Sequence, residues 1–308
     1  MRGDSLRIRT RHWTRWRRKQ AASAWRRTAY VDALGDDARS LWLCSWQRSG
    51  STWVAEVLAS SAGTRLIYEP ANVPGQLFTG EDAALAPLPD GPGPELDAVE
   101  RALRGRIRGA WVDQLATDHV VRRRVVKDVR GVGLLGLVAA RHPATPLVVL
   151  VRHPLSVARS AVALGWTRIP ERPRDEQLLD EVARWTSTHS AALRSPAAAR
   201  ALVVAYEHLV RSPDETFSRV TSHLARHHAT WRHVTVDATT LSTPSATSFR
   251  RGAQDSAAEW IGTFADLPRG VVDETARLLD DAGLATLYGA EPEPLVAPQD
   301  VSAELLTR

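Results

Sequence analysis

The chain has 308 residues, of which 44% are hydrophobic and 24% are charged. This composition is typical of a globular protein with one large or two small domains, and it excludes a disordered or fibrous chain. The single cysteine, Cys44, cannot form an internal disulfide, so an oxidising compartment is not required and a cytoplasmic location is expected. No apolar run approaches the roughly 18 residues that a membrane span requires.

The net charge of +5 is concentrated in a basic N-terminal arm, residues 1–30. This arm carries nine arginines and one lysine against one aspartate, so the rest of the chain is slightly acidic. General binding of nucleic acid by the core is therefore not expected. A basic helix with Trp13, Trp16 and Trp25 partly on one side would suit weak contact with an acidic membrane surface, whereas a solvated or core-docking arm is the alternative.

After the arm, short apolar segments alternate with helical patterns. The expected strands are 40–46, 65–68, 124–127, 146–151 and 201–206. The expected helices are 52–63, about 95–118, 131–142, a segment after Pro154, 175–194 and 213–228. This alternation predicts a three-layer α/β domain over residues 31–290, with a mostly parallel sheet flanked by helices and a tail at 291–308. Residues 70–94 hold six prolines and four glycines, which predicts a lid or binding loop.

Polar residues follow the ends of the expected strands. They are Arg48, Glu69, Asp128, Arg152 and Glu207. Ligands bind at the carboxyl ends of the strands in open parallel sheets. The sequence therefore predicts a ligand site at this edge of the sheet.

The first strand runs into the tight loop QRSGSTW, which opens a helix. Successive backbone N–H groups at a helix N-terminus can bind a phosphate or a sulfate. Gly50 lets the backbone approach such an anion closely, Ser51 and Thr52 add hydroxyl donors, and Arg48 adds a fixed positive charge. A simple helix cap is the alternative interpretation of this loop.

Two further segments are basic. VRHPLSVARS also leaves a strand and opens a helix, so that Arg152 and Ser160 could converge on one anion. A later polar loop, SFRRGAQDSAAEW, carries Arg250 and Arg251 directly before Gly252. Two arginine sites together with an anion-binding turn indicate a ligand with phosphate groups at both ends.

Over residues 40–290 these motifs resemble, in order, those of the sulfotransferases that use 3′-phosphoadenosine-5′-phosphosulfate (PAPS). WQRSGSTW resembles the 5′-phosphosulfate loop of that family, and VRHPLSVARS resembles its 3′-phosphate motif. VAYEHLVRSPDETF resembles the stretch with a tyrosine near adenine, and FRRG resembles the loop that closes on the 3′-phosphate. The residues that the resemblance implies for PAPS binding are Arg48, Ser49, Gly50, Ser51, Thr52, Trp53, Arg152, Ser160, Tyr206, Arg250, Arg251 and Gly252.

The resemblance implies a P-loop-like fold and in-line transfer of a sulfuryl group from PAPS. The acceptor would be a hydroxyl group, or with less support an amine, of a small molecule or a carbohydrate. Arg48 and the loop N–H groups would stabilise the charge that develops on the leaving phosphate, and Lys127 would contact the sulfonate. Residues 70–118 and 165–177 match nothing specific and are expected to govern the choice of acceptor.

A hydroxyl acceptor needs a general base. One branch of the family places a histidine two residues after a lysine, but this chain has Val129 at that position after Lys127. Glu69 fits the branch with a glutamate shortly after the first helix, and Asp128 is the alternative base. The catalytic residues implied are therefore Arg48, Glu69, Lys127 and Asp128.

Two other functions share some of these features. A nucleoside or nucleotide kinase would need a Walker lysine and Mg²⁺ ligands, and neither is evident. A nucleotide-binding protein without catalytic activity would lack a general base. The presence of Glu69 and Asp128 argues against this function. No metal is expected, because the ten histidines show no ligand spacing with cysteine or carboxylates.

Overall fold

A computed structural model describes residues 31–32, 35–72, 93–116, 118–236 and 261–297. Its strands are β1 (Val31–Asp32), β2 (Ser40–Ser45), β3 (Thr64–Tyr68), β4 (Val120–Val121), β5 (Arg123–Asp128), β6 (Leu147–Val151) and β7 (Ala201–Ala205). Five of them form one parallel sheet in the order β3-β5-β2-β6-β7, and β1 pairs with β4 in a separate parallel pair. The α/β class with a mostly parallel sheet is thus confirmed.

Helices cover both faces of this sheet. The α-helices are α1 (Ser51–Ala59), α2 (Pro94–Leu103), α3 (Leu135–Arg141), α4 (Pro154–Ala163), α5 (Arg174–Leu193), α6 (Tyr206–Arg211), α7 (Pro213–His227) and α8 (Arg269–Asp281). Short 3₁₀ helices span Asp37–Arg39, Pro70–Asn72, Gly131–Leu134, Pro196–Arg200 and Ala229–His233. One core cluster lies under α2, α3, α5 and α8, a second lies under α1 and α7, and a third lies between α4, α5 and α8.

The central strand β2 is buried along its whole length because it has neighbours on both edges and helices on both faces. Its register places Leu43 beside Lys127 of β5 and Ser45 beside Leu150 of β6. The carboxyl ends of β5, β2 and β6 therefore meet at one edge of the sheet. The loop after β2 stands in the middle of that edge.

Several expected boundaries were wrong, and the helix expected at 52–63 ends at Ala59. Helices are expected around 95–118, but α2 ends at Leu103, because Gly105 turns the chain with a φ of +69°. A β-carbon at this glycine would lie 2.9 Å from atoms of Asp32 and Arg124, so the turn also packs against a buried charge. Tyr206 was expected to end a strand, but it opens α6.

A buried network of charges stabilises the opposite, amino-terminal end of the sheet. Arg65 donates to Asp113 Oδ1 at 2.9 and 2.7 Å and to Asp32 Oδ2 at 3.1 Å. Arg124 donates to the other oxygen of Asp32 at 2.6 Å and to Ser40 Oγ at 2.7 Å. Removing one member of such a network leaves a partner buried and uncompensated, which is more costly than the net contribution of the pair.

We therefore expect Arg65→Met to lower the free energy of unfolding by about 3–5 kcal/mol. Arg141→Met is the matched control, since it removes a 2.8 Å ion pair with Glu100 in which the arginine is 43% exposed. The control should cost less than about 1 kcal/mol. Urea denaturation measures both values, and equal losses would contradict the role given to the buried network.

Candidate active site

The loop between β2 and α1 turns through two left-handed residues. Arg48 has a φ of +63° and Gly50 a φ of +86°, and α1 begins at the next residue. A β-carbon at Gly50 would lie 2.4 Å from Tyr206 Cε2. Only glycine fits at this position, because the aromatic ring of Tyr206 lies directly against the loop backbone.

A buried hydroxyl at this loop has no partner within the described part of the chain. Ser49 is fully buried, and no hydrogen bond reaches its Oγ there. Ser45 Oγ, by contrast, donates to Ser51 Oγ at 2.8 Å. An unsatisfied buried hydroxyl is costly, and here it lies beside the N-terminus of a nine-residue helix. Both features favour an anion, to which the hydroxyl and the first N–H groups of α1 would donate.

The first and second predicted anion-binding elements lie in direct contact. Arg48 Nε donates to Ser160 Oγ of α4 at 3.0 Å, and Arg152 Nη1 donates to the carbonyl oxygen of Arg48 at 3.2 Å. This proximity follows from the sheet order, because β2 and β6 are neighbours and both leave the sheet at the same edge. The two predicted elements therefore form one cationic surface.

Aromatic rings line the side of this surface that faces β7. The guanidinium carbon of Arg152 lies 4.4 Å from the ring centroid of Tyr206. Trp53 on α1 is half-buried and meets Tyr206 edge-on at 6.3 Å and Phe217 edge-on at 5.8 Å. A flat ring such as adenine has a partner for stacking here, and the adjacent arginine supplies a positive charge.

The predicted base, Glu69, lies at the end of β3 on the other side of the loop. Its backbone has a φ of +43°, which is uncommon for a residue other than glycine. Lys127 Nζ donates to Glu69 Oε1, and both side chains are buried. Trp111 Nε1 donates to the carbonyl oxygen of Glu69 at 3.0 Å. These contacts hold the strained residue and its carboxylate in one orientation.

Asp128, the alternative base, is engaged by the backbone on both oxygens. Its Oδ2 accepts from the N–H of Ala71 at 3.0 Å, and its Oδ1 accepts from the N–H of Arg130 at 2.9 Å. Burial raises the pKa of Asp128 to about 6, with a further contribution from the charge of Glu69. This carboxylate therefore connects the two segments that follow β3 and β5.

Glu181 on α5 was not singled out from the sequence, yet it supports the loop between β2 and α1. Its Oε1 accepts from Trp46 Nε1 at 2.6 Å and from Gln47 Nε2 at 3.0 Å. Its Oε2 accepts from Arg184 at 2.8 Å, and the guanidinium carbon of Arg184 lies 5.4 Å from the Trp46 ring. The available signal was two opposite charges three residues apart on a helix, which is more often a solvated surface pair.

The segment between α4 and α5, expected to take part in acceptor choice, reaches the same loop. Trp166 is 38% exposed, and its ring centroid lies 5.6 Å from the guanidinium carbon of Arg48. The segment is tied to α5 by the ion pair of Arg168 with Asp180 at 2.7 Å. It therefore borders the open side of Arg48.

Glu207, one of the polar residues expected to form the ligand site at the ends of the strands, has a structural role instead. Glu207 is buried and accepts from the N–H of His153 at 2.9 Å and from the hydroxyl of Tyr288 at 2.8 Å, so it joins structural elements. The third predicted element, with Arg250, Arg251 and Gly252, lies outside the described residues.

Across the described ranges, no group of three or more histidine, cysteine or acidic side chains could hold a metal ion, and no helix is long and apolar enough to cross a membrane.

The parallel sheet, the tight loop that leads from its central strand into α1 and the arginine side chains beside that loop define an α/β protein with a phosphate-loop-like fold. A family model described as Sulfotransferase family matches residues 41–229, which is more than half of the chain. The chain belongs to this family and is a sulfotransferase. A search of curated protein sequences finds no match.

Solved sulfotransferase structures align with most of the chain at low sequence identity. A sulfotransferase domain from the curacin biosynthetic pathway is 15% identical, with 83% of this chain and 99% of that chain covered and a TM-score of 0.45. A domain from the olefin synthase of Synechococcus PCC 7002 is 18% identical, with 79% and 94% covered and a TM-score of 0.44. A sulfotransferase from Alicyclobacillus acidocaldarius is 14% identical, with 80% and 93% covered and a TM-score of 0.43.

The raised pKa of Asp128 predicts a pH-dependent contribution to stability. Because the folded-state pKa of about 6 exceeds the unfolded value, this contribution is complete below about pH 4 and is lost as the pH rises to 6. The stability of the wild type relative to Asp128→Asn should therefore fall by up to about 3 kcal/mol over this range and then stay constant. Urea unfolding at several pH values measures the difference, and a constant difference would contradict the prediction.

Proposed function

We propose that this sulfotransferase moves a sulfuryl group from PAPS to a hydroxyl group of a small-molecule or carbohydrate acceptor, with an amine as the second acceptor class. The observation that carries the proposal is the hydrogen bond between Arg48 and Ser160. This bond brings the loop that follows β2 beside α4 and Arg152, which follow β6. One nucleotide with anionic groups at two positions can therefore contact both.

The donor would lie along this surface. Its 5′-phosphosulfate would accept hydrogen bonds from the first N–H groups of α1 and from Ser49 Oγ, which has no other partner among the described residues. Its 3′-phosphate would pair with Arg152 and Ser160. Its adenine would lie against Trp53 and Tyr206, whose rings are already arranged edge-on.

The transfer requires a base on one side of the sulfur and charge stabilisation on the other. The acceptor oxygen would form a bond to sulfur while the bond from sulfur to the 5′-phosphate oxygen breaks, and the acceptor proton would pass to Glu69. The electrons of the broken bond remain on the phosphate of adenosine 3′,5′-bisphosphate. Arg48 and the loop N–H groups would stabilise this charge, since an arginine acts there electrostatically rather than as an acid.

The contacts favour Glu69 over Asp128 as that base. Both oxygens of Asp128 accept hydrogen bonds from backbone N–H groups, so this side chain is committed to the fold. Glu69 projects from the end of β3 beside Lys127, whose charge would also attract the sulfonate oxygens. Lys127 would therefore orient the base before transfer and attract the sulfonate oxygens during it.

Glu69→Gln should lower kcat by about 10²–10⁴-fold, because a positioned general base contributes about that much. Turnover is measured by mass spectrometry with PAPS and a library of phenols, sugars and amines, and the best acceptor is then used for all variants. Glu100→Gln, which changes a carboxylate paired with Arg141, is the control and should retain wild-type turnover. A Glu69→Gln enzyme with more than about a tenth of wild-type kcat would exclude Glu69 as the base.

Arg152→Ala should weaken the binding of adenosine 3′,5′-bisphosphate by about ten-fold or more, because a charged hydrogen bond to the 3′-phosphate is lost. Calorimetric titration measures this affinity without any acceptor. Arg141→Ala removes an arginine at the end of α3 that is 43% exposed and pairs with Glu100, and it should leave the affinity unchanged. Unchanged affinity in Arg152→Ala would contradict the proposed donor position.

A further inference from the structure

Glu181, near the middle of α5, accepts hydrogen bonds from the two residues that link β2 to Arg48. Its Oε1 accepts from the indole N–H of Trp46 at 2.6 Å and from the side-chain amide of Gln47 at 3.0 Å. Its side chain is 2% exposed, and its other oxygen is paired with Arg184. None of the catalytic or binding roles proposed above uses this carboxylate.

The hydrophobic core fixes the position of this carboxylate. Leu178 and Val182, which flank it on α5, are fully buried in the core cluster that α5 shares with α4. Helix α4 in turn carries Ser160, which accepts from Arg48 Nε at 3.0 Å. Because the two helices pack together, their side chains hold three consecutive residues of the loop, 46–48, in one place.

The residues held in this way include a strained turn. Arg48 has a φ of +63°, a left-handed conformation that costs energy for a residue other than glycine and that persists only where neighbouring contacts determine it. The N–H of Ser49 donates within the loop to the carbonyl oxygen of Trp46 at 3.4 Å. The position of Trp46 therefore affects where the loop holds the hydroxyl of Ser49 and where α1 begins.

We propose that Glu181 is a positioning residue for the sulfuryl donor, which holds the loop between β2 and α1 in the shape that receives the 5′-phosphosulfate. This inference rests on the proposed function, in which that loop binds the 5′ end of PAPS. The carboxylate faces Trp46, Gln47 and Arg184, so it acts on the donor only through the loop. The charge of Arg184 also compensates the negative charge that Glu181 brings near an anion.

The two oxygens of Glu181 serve three donors, which requires a carboxylate. A glutamine has one acceptor oxygen and an NH2 group that can only donate. In Glu181→Gln, either the loop or Arg184 must therefore face a second donor, while the side-chain volume hardly changes. Hydrogen bonds to a charged acceptor are stronger than those to a neutral one, so the substitution weakens the hold on Trp46 and Gln47 in either orientation of the amide.

Two nucleotides that differ only in the 5′-phosphate test this role. We expect the wild type to bind adenosine 3′,5′-bisphosphate more tightly than adenosine 3′-monophosphate. In Glu181→Gln the affinity for the bisphosphate should fall by about ten-fold, the effect of losing one hydrogen bond to a charged group, whereas the affinity for the monophosphate should stay within about two-fold. Competitive calorimetric titration measures both affinities. Equal losses for the two nucleotides, or no loss for either, would overturn the proposal.

Gln47→Leu removes the donor on the loop side and leaves α5 unchanged. Gln47 is half-buried, so this variant should fold even if Glu181→Gln does not. We expect the same selective loss of affinity for the bisphosphate, by about three-fold. The double variant should lose less than the sum of the two single losses, because both changes act on one contact, and additive losses would contradict a role through the loop. If Glu181→Gln does not fold, unchanged affinity in Gln47→Leu overturns the proposal.

Asp32→Asn is the matched control. It makes the same change from carboxylate to amide at a buried side chain that pairs with arginines, here Arg65 and Arg124 at the opposite end of the sheet. This variant should lower the free energy of unfolding but leave the preference for the bisphosphate unchanged. An equal loss of this preference in Asp32→Asn and Glu181→Gln would show a general effect of destabilisation and would also overturn the proposal.

The same titrations separate this inference from the proposed function. If the wild type binds the two nucleotides equally, the loop does not bind the 5′ end of the donor, and the donor position in the proposed function fails. If Ser49→Ala selectively lowers the affinity for the bisphosphate while Glu181→Gln does not, the donor lies as proposed and only the role of Glu181 fails.

Discussion

The hydrogen bond from Arg48 to Ser160 joins the loop after one parallel strand to the helix after its neighbour, and the proposed donor site depends on it. The bond is 3.0 Å long and connects the turn after β2 to the middle of α4. It is accompanied by the bond from Arg152 to the carbonyl oxygen of Arg48, so two cationic side chains are held within one small region. Like charges brought so close favour a ligand that carries negative charge.

The rest of the fold maintains this geometry from two directions. At the opposite end of the sheet, Arg65 and Arg124 share Asp32 in a buried network that holds β3 and β5 in place. At the site itself, Glu181 reaches from α5 to the two residues that precede Arg48. The loop is therefore supported by a strand before it, a helix after it and a carboxylate beside it, so that little of its shape is left for the ligand to impose.

The sequence predicted the backbone of the site better than its side-chain partners. Alternating apolar strands and helical patterns indicated a parallel sheet, and the glycine and serines of the first loop indicated a tight turn that opens a helix, because both signals are local. Anion binding by this turn is still a prediction. The partners of Asp128 and Glu181 could not be predicted, since each contacts groups brought near only by the fold. The helix end at Leu103 was missed because Gly105 turns against a buried ion pair that no local pattern shows. The third basic element, near Arg250, is still a prediction.

The contact between Gly50 and Tyr206 makes two positions far apart in the sequence interdependent. A β-carbon at position 50 would overlap the ring at position 206, so neither residue can be exchanged without regard to the other. A smaller residue at position 206 would remove the overlap, but the φ of +86° at position 50 would still strain any side chain there, so glycine is required on two independent grounds. The same overlap sets a hard limit on how far the loop can close toward β7, whatever it binds.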